Sequence, residues 1–139
     1  MNAAPIVAKQ ASFELRSTAD VVAARRGVRE WAKELDLSVL DLTRVVTAAS
    51  ELARNTVVHG GGGVMCLQVV RAGDREGLRV TFKDHGPGIP EIEIAMRDGY
   101  TTGGGMGIGL AGARRLVNEF DLSSTPSEGT CVTIVRWKA

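Results

Sequence analysis

The chain has 139 residues, 44% hydrophobic and 24% charged, the size and balance of one compact domain that buries its core without disulfide staples. Lys and Arg number 17 against 16 Asp and Glu, a formal charge of +1; the basic residues read as scattered along the chain, which argues against nucleic acid or an anionic membrane surface as partner. No apolar run reaches the ~18 residues of a membrane span, residues 1–12 lack a secretory signal pattern, and the expectation is a cytoplasmic protein of a single domain, residues 1–139.

Residues 11–16 alternate Phe13 and Leu15 with polar neighbours, the period of a half-buried strand. Over residues 20–35, Val21, Ala24, Val28, Trp31, Ala32 and Leu35 make one apolar stripe on a helix for which Asp20 is the expected cap. A longer helix is expected over residues 38–58, opened by Ser38 with Asp41 three places on, and striped by Leu42, Val45, Val46, Ala49, Leu52 and Ala53. Four glycines at 60–63 end it, because backbone without side chains loses too much entropy to stay helical. Strands over 64–70 and 78–83 form a hairpin around the turn-rich residues 72–77. Cys66 and Cys131 stand apart inside apolar stretches, without the spacing of a zinc or redox pair, and read as small core residues. Two glycines and two prolines in residues 84–90 then break the ladder. An acidic helical stretch around 91–97, a glycine cluster at 103–109, a helix over 110–120 and strands over 122–125 and 130–137 complete the chain. Helices and hairpins without βαβ alternation define the α+β class, a sandwich of antiparallel sheet and helices.

Three groups of residues could carry chemistry. On the second helix, Glu51 and Asn55 are four apart, so they lie about 40° from each other and about 6 Å apart along the axis, on one face. That face points away from the apolar stripe and is expected to turn a carboxylate and a carboxamide outward. A solvated surface accounts for the pair as well as a site does, but the small residues Thr47, Ala48, Ala49 and Ser50 leave room for something bulky to approach. A carboxamide oxygen suits a divalent cation, and a carboxylate can draw a proton from a hydroxyl. His59, four beyond Asn55, either lines the same cleft or satisfies helix-terminal carbonyls, while Arg54 reads first as an exposed arginine and second as a contact for the phosphates or a partner. The second group is the loop at Asp84, Gly86 and Gly88: the acid can accept from an amine and the glycines admit a flat ring, although a tight turn explains the same residues. His85 reads as a structural or solvent-facing residue. The third, Gly105-Met106-Gly107-Ile108-Gly109-Leu110, opens a helix whose unpartnered amides and dipole favour phosphate. It is neither a Walker A loop nor a Rossmann fingerprint, and a flexible hinge is its other reading.

In this order, Glu-x-x-x-Asn on a helix, Asp-x-Gly-x-Gly after a strand, a Gly-x-Gly-x-Gly helix opening and Gly129-Thr130 before the last strand, the motifs resemble the Bergerat ATP-binding fold of the GHKL superfamily (gyrase, Hsp90, histidine kinases, MutL) over residues 20–138. The runs Ser50-Glu51-Leu52-Ala53-Arg54-Asn55, Asp98-Gly99-Tyr100-Thr101-Thr102-Gly103-Gly104 and Gly109-Leu110-Ala111-Gly112-Ala113-Arg114-Arg115-Leu116 are most similar to the RsbT-type switch serine kinases among the anti-sigma factor regulators. The resemblance implies a two-layer sandwich, a mostly antiparallel mixed sheet covered by helices on one face, that uses ATP and Mg²⁺. It implies that Asn55 holds the metal, that Glu51 is the base, and that Asp84 takes the adenine amino group with a water shared by Thr130. Gly86, Gly88 and Ile89 would shape the adenine wall, residues 91–104 the lid, and Gly105, Met106, Gly107, Ile108, Gly109 and Leu110 the nucleotide cradle, with the amides of 107–110 on the phosphates. Electrostatic positioning would then supply the rate. With no spare histidine for a sensor kinase and a short lid, the implied acceptor is a serine on another protein: an RsbS-like STAS-domain antagonist beside a larger STAS co-antagonist, with release activating a PP2C-type phosphatase. An ATP-gated anti-sigma factor that sequesters a sigma factor needs the same three residues, Glu51, Asn55 and Asp84, and is the second reading.

Overall fold

Five segments in which apolar and polar side chains alternate pair into one sheet. The computed structural model describes residues 4–88, 96, 109–125 and 128–139. The strands are β1 (Ile6–Leu15), β2 (Gly63–Ala72), β3 (Arg75–Asp84), β4 (Glu119–Thr125) and β5 (Gly129–Trp137), in the order β1-β2-β3-β5-β4. All four neighbouring pairs are antiparallel. The helices are α1 (Thr18–Glu34), α2 (Val39–Val58) and α3 (Gly109–Arg115). Leu67, Val80, Ile134 and Phe120 stand opposite one another across four strands, and Met65, Phe82, Val132 and Leu122 make the next rung. Because side chains alternate between faces, both rungs point the same way, into a core that also contains Val28, Val45, Leu52 and Ala113 of the helices. Each such Leu, Val or Phe contributes about 1.5–3 kcal/mol by leaving water.

The opposite face of the sheet carries polar side chains bonded across the strands. Gln68 joins Gln10 at 3.0 Å and Arg79 at 2.8 Å, and the Thr81 and Thr133 hydroxyls are 3.2 Å apart. Cys66 and Cys131 belong to this face. Both are free and half-buried, with Cys66 opposite Thr81 and Cys131 opposite Lys83, which corrects the expectation that they are core residues. Their apolar neighbours occupy both phases of the strand, so local composition does not show which phase faces inward.

The long elements follow the sequence pattern with shifted ends. The α1 cap is Ser17 rather than Asp20: the Ser17 hydroxyl accepts from the Asp20 amide at 3.3 Å, while the Asp20 carboxylate accepts from the Arg16 amide at 2.8 Å. Ser38 caps α2 as expected, accepting from the Asp41 amide at 3.1 Å. β1 starts at Ile6, five residues before the expected strand, and β2 and β3 run up to the two residues Gly73 and Asp74, not the six allotted to the turn. The helix expected over 110–120 ends at Arg115. The Asn118 amide bonds to the Val135 carbonyl at 2.9 Å and its Oδ1 accepts from the Trp137 amide at 2.7 Å, so the chain has joined the sheet before Phe120, which sits in β4 opposite Ile134. The expected helical stretch at 91–97 and the lid at 91–104 lie outside the described residues, apart from residue 96.

Asp41 ties the layers together. It is 6% exposed, and its Oδ1 lies 2.5 Å from a terminal nitrogen of Arg136 in β5 and 3.6 Å from Arg44. Arg136 also reaches the Leu116 carbonyl at 3.4 Å, and its buried Nε has no partner among the described residues. Removing one member of such a pair strands the other charge. Asp41→Ala is expected to lower the unfolding free energy by about 3 kcal/mol in a denaturant titration, and Asp41→Leu combined with Arg136→Met to recover most of it. A loss under about 1 kcal/mol would show the pair to be solvated and weak.

Candidate nucleotide and phosphoryl-transfer site

The C-terminal half of α2 brings the predicted residues together, though not in the way the helical wheel suggests. Glu51 is 8% exposed rather than turned to water. Its Oε1 accepts a hydrogen bond of 3.0 Å from the Gly109 amide, the first residue of α3, and its Oε2 lies 3.8 Å from Arg54. The start of α3 therefore closes over Glu51 on this face of α2. One turn further, Asn55 is half-buried. Its backbone carbonyl accepts from the His59 amide at 2.9 Å and the Gly60 amide at 3.1 Å, closing the helix with His59 as C-cap. The Asn55 carboxamide makes no hydrogen bond to any described residue, so its oxygen is available to a ligand. Of the small residues upstream, Ala48 and Ala49 are core, and only Thr47 and Ser50 border open space.

Asp84 ends β3 at the same place and is 7% exposed. Its Oδ1 accepts from the amides of Gly86 at 2.9 Å and Thr130 at 3.1 Å, leaving Oδ2 as an acceptor beside Gly60. Two glycines permit this approach. A Cβ on Gly60 would overlap the Asp84 carboxylate, and one on Gly129, whose φ is +95°, would overlap the Asp84 carbonyl. Gly86 lies against Gly60 in turn, and Gly88 has a φ of +79°. The loop is both things at once: a tight turn, and a floor of bare backbone around one carboxylate. His85 is exposed, as expected. The Thr130 hydroxyl is 3.1 Å from that of Ser124 on β4. Gly109 and Leu110 are buried at the start of α3; Ile89, Gly105, Met106, Gly107 and Ile108 lie outside the described residues.

On the other side of Glu51, α1 and α2 enclose a groove of about 700 Å³ whose lining includes Arg25, Arg26 and Arg29 from α1 and Ser50, Glu51 and Arg54 from α2. The three α1 arginines are exposed and form no ion pair among the described residues. Basic residues that look scattered along the chain thus converge on one groove. Their signal is helical rather than linear, since Arg25, Arg26 and Arg29 follow the 3–4 spacing of one face, which flanks the buried stripe of Ala24, Val28 and Ala32. Arg54 is likewise more than a surface arginine, because it faces the Glu51 carboxylate.

A buried carboxylate between the start of α3 and an open groove, with a carboxamide one turn away that has no partner among the described residues, is an arrangement suited to binding an anion and deprotonating a hydroxyl. Residues 40–139 match the family described as histidine kinase-, DNA gyrase B-, and HSP90-like ATPase, and the chain belongs to that family. Within it, the sequence is 41% identical to the serine/threonine-protein kinase RsbT of Bacillus subtilis (strain 168) over 128 residues, 92% of this chain and 96% of that one. It is 29% identical to the anti-sigma F factor of Thermoanaerobacter sp. (strain X514) over 120 residues, 82% of each chain. The structure of the RsbU and RsbW domains of a Mycobacterium tuberculosis protein superposes with a TM-score of 0.64 at 23% identity, covering 99% of this chain and 33% of that one. That likeness shows the shared fold. No helix among the described residues is long and apolar enough to cross a membrane.

Proposed function

We propose that this chain is an ATP-dependent serine/threonine protein kinase of a partner-switching module, one that phosphorylates a STAS-domain antagonist and on release activates a PP2C-type phosphatase in stress signalling. The observation that carries the reading is the position of Glu51, with Oε1 on the Gly109 amide at the opening of α3 and Oε2 toward Arg54 at the groove. A base for phosphoryl transfer must touch both the nucleotide side and the acceptor side. The 41% identity to RsbT supports the same conclusion.

In this reading the Asp84 Oδ2 accepts the adenine amino group, and Gly60, Gly86 and Gly88 let the ring lie against backbone. The Leu110 amide, with those of Gly107 and Ile108, is the donor set for the phosphates, while the Gly109 amide stays on Glu51 Oε1. The Asn55 carboxamide, which has no hydrogen-bond partner among the described residues, fits a hard cation with oxygen ligands, and Mg²⁺ there would neutralise charge on the phosphates. Glu51 takes the proton of the acceptor serine as its oxygen forms the bond to the γ-phosphorus; the bond from that phosphorus to the β–γ bridging oxygen breaks, and ADP leaves. The acceptor enters over the α1 arginines, where its acidic groups find guanidiniums with no ion pair among the described residues. A STAS-domain substrate of the RsbS type, a larger STAS co-antagonist and the phosphatase are the partners this implies. The similarity to anti-sigma F factors favours a second reading, in which the same groove holds a sigma factor and phosphorylation only resets the complex.

The direct test is transfer of label from γ-labelled ATP to a purified STAS-domain protein, with pull-downs against the phosphatase and a sigma factor. Label on a STAS serine and retention of the phosphatase are expected; retention of the sigma factor alone would select the second reading. Reversing Arg25 and Arg29 to Glu should raise KM for the protein acceptor at least about tenfold, the range of a lost charge-assisted contact, while ATP affinity measured by calorimetry stays within about twofold. Equal losses in both would place the arginines in the nucleotide site.

A further inference from the structure

Among the described residues, Arg54 is the one cation paired with the proposed base: its Nη1 lies 3.8 Å from Glu51 Oε2. That separation is close enough for attraction and too long for a bond, since a guanidinium on a carboxylate closes to about 2.7–2.9 Å. The Arg54 N–H groups make no hydrogen bond to any described residue. The other Glu51 oxygen is taken by the Gly109 amide at 3.0 Å, so a single carboxylate stands between the start of α3 and the guanidinium. Around the α2 axis, Asn55 stands about 40° to one side of Glu51 and Arg54 about 60° to the other. Arg54 is thus on the groove side of the base, where Glu51 is the only acid among the described lining residues and the Ser50 hydroxyl is spent on the Val46 carbonyl at 2.8 Å.

Phosphoryl transfer changes the charges around Arg54 in one direction. The serine Oγ forms its bond to the γ-phosphorus, the bond from that phosphorus to the β–γ bridging oxygen breaks with its electron pair going to ADP, and the serine proton goes to Glu51. Glu51 thereby loses the charge that faces Arg54 in the resting protein. The phosphoryl oxygens, carrying negative charge, move at the same time toward the acceptor side. Both changes turn the guanidinium from the carboxylate to the phosphoryl group. An interaction that strengthens only as the reaction proceeds raises the rate of the chemical step and leaves nucleotide binding little changed. A guanidinium also offers five donors in a fixed fork that matches phosphate oxygens.

We propose that Arg54 is a catalytic residue: a guanidinium supplied by α2 itself that donates to the phosphoryl oxygens while the group is in transit between ADP and the acceptor serine. The inference rests on the nucleotide site and the base proposed above, and gives the arginine beside that base the charge-stabilising part that phosphoryl transfer requires. The exposed arginines of α1 do not share this position, because none of them pairs with Glu51.

The test is calorimetry of the full chain with ADP and Mg²⁺, alone and with aluminium fluoride as the planar mimic of a phosphoryl group in transit, in wild type, Arg54→Ala, Arg54→Lys and Glu51→Gln. Aluminium fluoride is expected to tighten ADP binding at least about 100-fold in wild type, as transition-state analogues do, and also in Glu51→Gln, which keeps the guanidinium. Arg54→Ala should lose about 100-fold of that tightening, the worth of one donor aimed at developing charge, with ATP and ADP affinities within about threefold of wild type. Arg54→Lys keeps the charge without the fork and should recover only part. Full tightening in Arg54→Ala, or none in wild type, overturns the inference while wild-type ATP binding leaves the nucleotide site standing. An equal loss in Glu51→Gln would mean that Arg54 acts only through the carboxylate, and an equal loss of ATP affinity in Arg54→Ala would make it a ground-state contact; either overturns the inference. Absence of ADP and ATP binding by wild type would instead remove the site itself, and the inference with it.

Discussion

Glu51→Gln is expected to lower the rate of phosphoryl transfer to the protein acceptor by about 10²–10³-fold, the usual contribution of a positioned general base, while ATP affinity is retained. The carboxamide oxygen can still accept from the Gly109 amide as Oε1 does at 3.0 Å, so the helix opening keeps its partner and only the proton acceptor is lost. The split between rate and binding is what identifies a residue acting in the transition state. Single-turnover transfer of label, measured with nucleotide saturating, separates the outcomes. A variant that transfers at the wild-type rate would place the base elsewhere, and one that loses ATP binding in step with activity would make Glu51 a structural partner of α3.

Asp84→Asn is expected to weaken ATP binding about 100-fold, although the substitution is isosteric. Two backbone amides, of Gly86 and Thr130, donate to Oδ1. In the variant the carboxamide oxygen must stay on those two donors, because turning it would leave both amides facing an NH₂. That forces the new NH₂ group to the Oδ2 position beside Gly60, where it meets the adenine amine as donor against donor. The charged hydrogen bond is lost, worth about 1.5–3 kcal/mol, and a polar group is left unpaired at about 1–3 kcal/mol, so a loss of about 100-fold is near the low end of their sum. Calorimetric titration reads the change, and circular dichroism checks that the fold is kept. An affinity within threefold of wild type would show that the carboxylate does not contact the base.

The sheet and the two long helices were legible because their signals are local. Ser38 caps α2 as the sequence indicates, and the stripe through Val45, Ala49 and Leu52 is buried. What escaped the sequence depends on residues brought together from far along the chain. The face of α2 holding Glu51 looks solvated until Gly109, 58 positions later, closes over it. Asp84 is recognisable as an acid at a strand end, but its burial comes from Gly60 and Gly129, whose backbones only fold onto it in three dimensions. The arginine-lined groove was hidden by reading charge along the line instead of around the α1 axis. Phe120 reads as the end of a helix because apolar residues continue the pattern, yet Asn118 bonds to Val135 and Trp137 and commits the segment to the sheet.

The whole account requires that a magnesium nucleotide bind between the end of α2 and the start of α3. The most direct measurement is calorimetry of ATP into the purified chain, with and without Mg²⁺, repeated on Asn55→Ala. Saturable 1:1 heat that strengthens with Mg²⁺ in wild type, and loses that dependence in Asn55→Ala, is the predicted result. No heat from wild type under either condition would contradict it.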